Sequence, residues 1–304
     1  MATLKGQNLR IILTQVGSHA TKQVVAMSTN CTINLTNNTE SGTTKDDTGM
    51  ADKPITVSKG WSVQVESFSM VDLRGLLFAA AGNYKYELIW DEVSETDNQT
   101  PLGESFARTG LAFITDLTLN FDDRTNSAKN ITFTGTGAIT TLDSAADIAV
   151  ISSGSFTKGQ FVRLFLSNNN TDAAVAVIAA AKQLQFHVSV GVENATTKDT
   201  EGEWIVNEPV SLTYDITSNA LVRSGDTITS AVTGRDMNDI EEIYELGTPV
   251  KFDIANVSGA NQRTKGASIV SGSVVLTQLQ IQGPNRQTAT YNATMVGYGA
   301  YSII

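Results

Sequence analysis

Lys5-Gly6-Gln7-Asn8-Leu9-Arg10-Ile11-Ile12-Leu13, near the start of the chain, returns after its midpoint as Lys158-Gly159-Gln160-Phe161-Val162-Arg163-Leu164-Phe165-Leu166. The shared pattern is Lys-Gly-Gln-x-aliphatic-Arg followed by three apolar residues, at an offset of 153. The same offset carries Thr43-Thr44-Lys45-Asp46 onto Thr196-Thr197-Lys198-Asp199, and Cys31, Ile33 and Leu35 onto Leu184, Phe186 and Val188. Toward the end of each half the offset becomes 162. It takes Ile114-Thr115-Asp116-Leu117 onto Leu276-Thr277-Gln278-Leu279, Arg124 onto Arg286, and Gly135-Thr136-Gly137-Ala138 onto Gly297-Tyr298-Gly299-Ala300. Ordered matches at two nearly constant offsets indicate a tandem duplication whose second copy is about nine residues longer through its middle. The join falls within residues 140–156, where Ser, Gly, Ala and Asp dominate. The expected division is a first domain over 1–145, a linker over 146–156 and a second domain over 157–304.

Each copy reads mainly as strands. Residues 9–14, 29–35, 61–68 and 84–90 are rich in branched and aromatic side chains in near-alternation. Residues 111–121 and 130–139 predict a closing hairpin around Asp122-Asp123-Arg124-Thr125-Asn126, repeated by 273–281 and 288–295 around Gly283-Pro284-Asn285-Arg286. Two segments break the pattern with helical spacing and a terminal glycine, residues 72–82 and 238–247. The polar stretch 36–54 has too few apolar residues to pack and is expected to project as a loop or hairpin, with 191–208 as its counterpart. The expected fold is therefore mainly β: two tandem β-sandwich or rolled-sheet domains, each with one short helix and a long projecting loop.

Composition narrows the function. The 304 residues carry 21 Lys and Arg against 31 Asp and Glu, a formal net charge of -10. Divided after Ser153, the halves hold 11 basic with 17 acidic and 10 basic with 14 acidic residues. Neither half has the basic surface that gripping phosphates requires. The single cysteine, Cys31, excludes an internal disulfide. The opening Met-Ala-Thr-Leu-Lys-Gly-Gln lacks the apolar core of a signal peptide, and no apolar run approaches the ~20 residues of a membrane span. The expectation is a soluble, acidic protein made inside the cell.

The search for reactive chemistry leads to no active site. The two histidines, His19 and His187, sit at unrelated places in the copies; His187, on a strand, faces outward or is a satisfied core histidine. No Cys–His metal spacing and no Gly-x-Ser-x-Gly elbow is present. Asp46-Asp47-Thr48-Gly49 lacks the spaced acids and terminal Glu of a calcium loop. Gly135, Gly137, Gly297 and Gly299 end strands instead of opening helices, so they read as close-packed strand ends and not as phosphate cradles. No catalytic residue, metal or cofactor is assigned, and the chain is not read as an enzyme.

Taken in order, these motifs resemble the major tail tube proteins of long-tailed bacteriophages. The first copy carries the likeness on Thr43-Thr44-Lys45-Asp46, Trp61-Ser62-Val63 and Phe133-Thr134-Gly135-Thr136-Gly137-Ala138. In the second copy the loop and the Gly-x-Gly-Ala ending remain, while Val210 or Tyr214 stands for Trp61. The resemblance implies a virion protein, made in the host cytoplasm, that polymerises as stacked rings into the tail tube through which DNA passes without specific binding. It implies loop contacts to the next ring through Thr43, Thr44, Lys45, Asp46 and Asp47 and through Thr196, Thr197, Lys198 and Asp199. Tail terminator, tail tip and tape measure proteins are the further partners it implies, with no membrane. Six such domains make a ring, so a duplicated chain is expected to close one as a homotrimer of pseudo-sixfold symmetry. An acidic lumen would repel DNA. The alternatives are the inner tube of a contractile injection system, whose subunits are usually single domains, and a carbohydrate-binding β-sandwich, for which the 7% aromatics offer no stacking cluster.

Overall fold

The computed structural model describes residues 6–15, 22–25, 28–48, 51–68, 86–92, 107–141, 148–149, 157–169, 175–178, 180–200, 202–222, 234–258 and 264–303. Within them the period-two patterns become antiparallel strands. The first stretch gives β1 (Leu9–Gln15), β2 (Lys22–Val24), β3 (Ser28–Ser41), β4 (Pro54–Ser67), β5 (Tyr86–Glu92), β6 (Arg108–Asp122) and β7 (Ala128–Thr141), followed by the short β8 (Ile148–Ala149). The second gives β9 (Val162–Leu166), β10 (Ala176–Val177), β11 (Ala181–Asn194), β12 (Asn207–Leu221), β13 (Val250–Ser258), β14 (Thr264–Gln282), β15 (Thr290–Gly297) and β16 (Ser302–Ile303).

Pairing registers recur at the offsets seen in the sequence. Leu35 lies opposite Trp61 in β3–β4, with a bulge after Asn38; Val188 lies opposite Tyr214 in β11–β12, with a bulge after Gly191. Leu117 faces Ile131 in β6–β7 beyond a bulge at Ile114/Asp116, and Leu279 faces Ala293 in β14–β15 beyond one at Leu276/Gln278. Bulges are local irregularities that alternation alone does not demand, so their repetition ties the two stretches together residue by residue. Tyr214 is thereby the counterpart of Trp61. Val210 is exposed.

β6 divides its outer edge. Residues 108–112 pair with β5, and 116–122 pair with β11. β5 and β1 roll over the sheet, bringing Trp90 edge-on to Trp61 with ring centroids 5.9 Å apart. In the second stretch Phe186, Tyr214, Phe252 and Tyr301 pack together in the same manner. Through the β6–β11 pairing the apolar core is continuous: Leu117, Leu119 and Phe121 meet Leu184, Phe186 and Val188, all buried.

The α-helix among the described residues, α1 (Met237–Leu246), follows from local chemistry. Asp236 and Asp239 form a capping box, and Gly247 closes the helix at φ 58°. Met237, Ile240 and Ile243 turn inward while Glu241, Glu242 and Glu245 stay exposed. The first predicted helix, over 72–82, lies outside the described residues.

Of the loop-or-hairpin alternatives, stretches 36–54 and 191–208 take the hairpin: the strands run on to Ser41 and Asn194 and resume at Pro54 and Asn207. Backbone pairing and polar cross-strand bonds such as Asn38 Nδ2 to Ser58 Oγ (2.8 Å) sustain them without apolar burial. β14 begins at Thr264 and not near 273, since Lys265 pairs with buried Asp253, which also accepts from Ser268 Oγ at 2.8 Å.

Candidate assembly surface

The repeated Lys-Gly-Gln-x-x-Arg motif acquires a structural reason at the junction of the two stretches. Arg163 Nη1 donates to Ala181 O at 3.0 Å, tying β9 to β11; Arg10 Nη1 donates to Ser28 Oγ at 3.1 Å, tying β1 to β3. Gly159 receives the turn that follows β6. Its N–H donates to Thr125 O (2.9 Å), Ser127 N–H donates to Thr157 O (2.7 Å), and Asp123 N–H donates to Lys182 O (2.9 Å). A Cβ on Gly159 would stand 2.2 Å from Asp122 O. Only glycine lets the two backbones approach so closely.

The second polar loop does not simply project. Lys59 and Glu203 form an ion pair at 2.6 Å, Ile205 N–H donates to Lys59 O at 2.9 Å, and Gly137 N–H donates to Ile205 O at 2.8 Å. Asn207 Nδ2 donates to Gly135 O at 2.7 Å, and Thr136 Oγ1 bonds Asn207 O at 3.1 Å. Trp204 and Ile205 are the reason: this loop has a large aromatic and a branched aliphatic side chain to bury, and the stretch 42–53 has neither kind. Alternation does not reveal Trp204, because it stands in no strand pattern.

Thr43, Thr44, Lys45 and Asp46, and likewise Thr196, Thr197, Lys198 and Asp199, are exposed at loop tips; Asp47 is half-buried. Each tip is one tight turn closed by a side chain. Thr44 N–H donates to Asp47 Oδ2 at 2.6 Å, and Thr197 N–H to Thr200 Oγ1 at 3.0 Å. The Lys53 ammonium and the Thr44 N–H hold the Asp47 carboxyl below its usual range.

The four strand-end glycines divide into two kinds. Gly135 and Gly297 are close-packed, since a Cβ would meet the Trp61 indole at 2.1 Å and the Tyr214 ring at 2.5 Å. Gly137 and Gly299 have open space but φ of +75° and +74°, so backbone conformation and not packing demands glycine there. Trp61 Nε1 donates to Gly137 O at 3.1 Å, and Tyr214 Oη to Ser273 O at 2.6 Å, pinning each ring over its glycine.

Across β4, β7, β6, β11, β12 and β15, the face turned from the core carries mainly Ser, Thr, Asn and Gln. Its carboxylates are Glu66, Asp116, Asp122, Glu193, Glu208 and Asp215, six of the chain's 31, and among the described residues no Lys or Arg alternates onto it. With no Lys or Arg to offset these carboxylates, the face is acidic, in keeping with the chain's net charge of -10. His187 lies on it and bridges the junction, with Nε2 2.7 Å from Asp116 Oδ2 and Nδ1 2.8 Å from Asp215 Oδ1. Carboxylates only accept, so satisfying both contacts takes two N–H donors, which only the imidazolium has. Burial opposes that charge, but the bonds and charges of Asp116 and Asp215 outweigh it and raise the pKa. Among the described residues no group of three or more His, Cys, Asp or Glu is placed to hold a metal ion.

A raised histidine pKa stabilises the fold below the ordinary imidazole value and loses that stabilisation as pH climbs through the folded value. Half-exposed ion pairs contribute about 0.2–1 kcal/mol. The wild-type melting temperature is expected to fall by about 1–2 °C more than that of His187→Gln between pH 6.5 and 9. Parallel slopes in calorimetry would remove the bridge from the stability of the junction.

No protein-family model matches the sequence, and no curated protein matches it. Among solved structures, the fold is similar to a chain in the tail of an empty gene transfer agent particle refined with C6 symmetry. The two share 17% identity with a TM-score of 0.39, over 49% of this chain and 98% of that one. A chain of the native gene transfer agent virion gives 16% identity and a TM-score of 0.37, over 49% and 98%. The SPP1 tail tube gives 14% and 0.33, over 48% of this chain and 78% of that one.

Proposed function

We propose that the chain is the structural subunit of a phage-type tail tube, located in the virion tail and made in the host cytoplasm. The two copies, over 1–145 and 157–304, each supply one tube domain, and 146–156 joins them. Three chains then close a pseudo-sixfold ring, and rings stack. The carrying observation is the β6–β11 pairing, which sets the two stretches side by side in one sheet whose strands β4, β7, β6, β11, β12 and β15 turn outward a polar face without Lys or Arg among the described residues. A face of amides and hydroxyls with scattered carboxylates suits a lumen through which DNA slides without adhering. The exposed turns at 43–47 and 196–199 serve contacts to the next ring. Tail terminator, tail tip and tape measure proteins are the partners at the ends and inside. The role is architectural, not enzymatic.

Purified protein examined by negative-stain microscopy and native mass spectrometry tests this. Rings or tubes with a central channel are expected, built on a unit of three times the 32.4 kDa chain. A ring of six chains would overturn the trimer, and a chain that stays monomeric at every concentration would overturn the tube.

A further inference from the structure

Gly6 and Gly159 hold equivalent places in the repeated motif, yet their surroundings differ. A Cβ at Gly159 would strike Asp122 O, whereas one at Gly6 would meet nothing within 4 Å among the described residues. The groove around Gly6, lined by Leu9, Arg10 and residues 28–31, is open, with a volume of about 480 Å³. Its equivalent around Gly159, Arg163 and Leu184 is reduced to about 10 Å³, because Phe121 and Asp123 occupy it. The filler is the hairpin turn after β6.

One further turn of that shape exists among the described residues, between β14 and β15. Arg286 there has φ 62°, as Arg124 has 63° in the first. Residues 281–288 are exposed. The flanking strand edges match as well. Leu35 on β3 is 65% exposed while its counterpart Val188 is 2% exposed; Ile281 on β14 is 55% exposed while its counterpart Leu119 is fully buried. Among the described pairings, residues 30–36 of β3 pair only with β4, and residues 278–282 of β14 only with β15. Such edges are templates for a further strand.

We infer that the Gly6 groove and β3 edge of one chain receive the 283–289 turn and β14 edge of a second copy, in the register of the in-chain β6–β11 junction. That register, Phe186 opposite Leu119 and Val188 opposite Leu117, transfers to Ile33 opposite Ile281 and Leu35 opposite Leu279. The Pro284 carbonyl lies against Gly6, as Asp122 O does against Gly159. The contact is head-to-tail, so it propagates from chain to chain and forms a ring where its rotation closes. This seam lacks the charged bridge of the in-chain junction, because Asn34 and Gln278 stand where His187 and Asp116 do. The inference rests on the self-assembling reading above and adds its register.

Two variants of the full chain test it. Gly6→Ala is expected to melt as wild type does, yet to need at least tenfold more protein to assemble. Leu35→Cys with Leu279→Cys, oxidised at pH 8, is expected to give a covalent ladder on denaturing gels. Leu35→Cys with Ile281→Cys, two residues out of register, is expected to give none, since opposed residues alone meet the disulfide span. Burial pushes the native Cys31 thiol up to about 11 despite Arg10, which keeps it largely un-ionised at pH 8. Wild-type-like assembly by Gly6→Ala, or cross-linking of the slipped pair alone, overturns the register while leaving the tube intact. A wild-type chain that never assembles overturns both.

Discussion

Phe186→Ala is expected to destabilise the isolated chain by about 4 kcal/mol, the usual cost of truncating a fully buried phenylalanine. Phe186 has no exposed surface and lies between Leu119 on β6 and Ile216 on β12. Its ring sits 6.0 Å from that of Tyr214, 6.3 Å from Phe252 and 5.7 Å from Tyr301. Truncation leaves a cavity at the centre of the junction, where pairing strands on both sides prevent collapse. At an unfolding entropy of about 2.1 cal/mol/K per residue, the melting temperature falls by about 6 °C. The comparison is Leu35→Ala, at the open edge of the other copy, which is expected to stay within about 0.5 kcal/mol in dilute solution. Calorimetry below the assembly concentration reads both. Equal losses would mean that the two edges are equally buried in the monomer.

Gly159→Ala is the second large effect. Its new methyl would lie 2.2 Å from Asp122 O and 2.6 Å from Asp122 N, both backbone atoms that a rotamer change cannot move. Overpacking costs about 1–3 kcal/mol, and a backbone obstacle places this substitution at the top of that range. The turn at 122–127 is expected to leave its socket, freeing the already exposed Arg124 to take the extended backbone a protease needs. Trypsin cleavage there should accelerate about tenfold, as a loss of more than about 1.4 kcal/mol in local stability requires. Cleavage at the wild-type rate would show that the turn is held by something other than the Gly159 socket.

The repeated motifs and most strands were legible because a strand's registry depends on period-two alternation and on local turn chemistry, both written in consecutive residues. The hairpin around Arg124, the helix closed by Gly247 and the strands from Leu9, Ser28 and Tyr86 follow from such signals. Trp61 and Gly135 were legible as landmarks but not as partners, since they are distant in sequence and meet only across β4 and β7. The alignment of Trp61 to Tyr214 over Val210 needed the bulge positions, which backbone pairing fixes.

The sequence alone determined that the chain is β-rich and acidic and that it carries the same short motifs twice in order, because alternation, charge and repetition are properties of residues in order. The tertiary structure decided what joins to what. Whether a polar loop projects or docks depended on Trp204 and Ile205 finding a partner surface in the other copy. The meeting of His187 with Asp116 and Asp215 needed three strands brought side by side. That Gly159 is filled and Gly6 empty is a difference between identical motifs, and only their neighbours in space distinguish them.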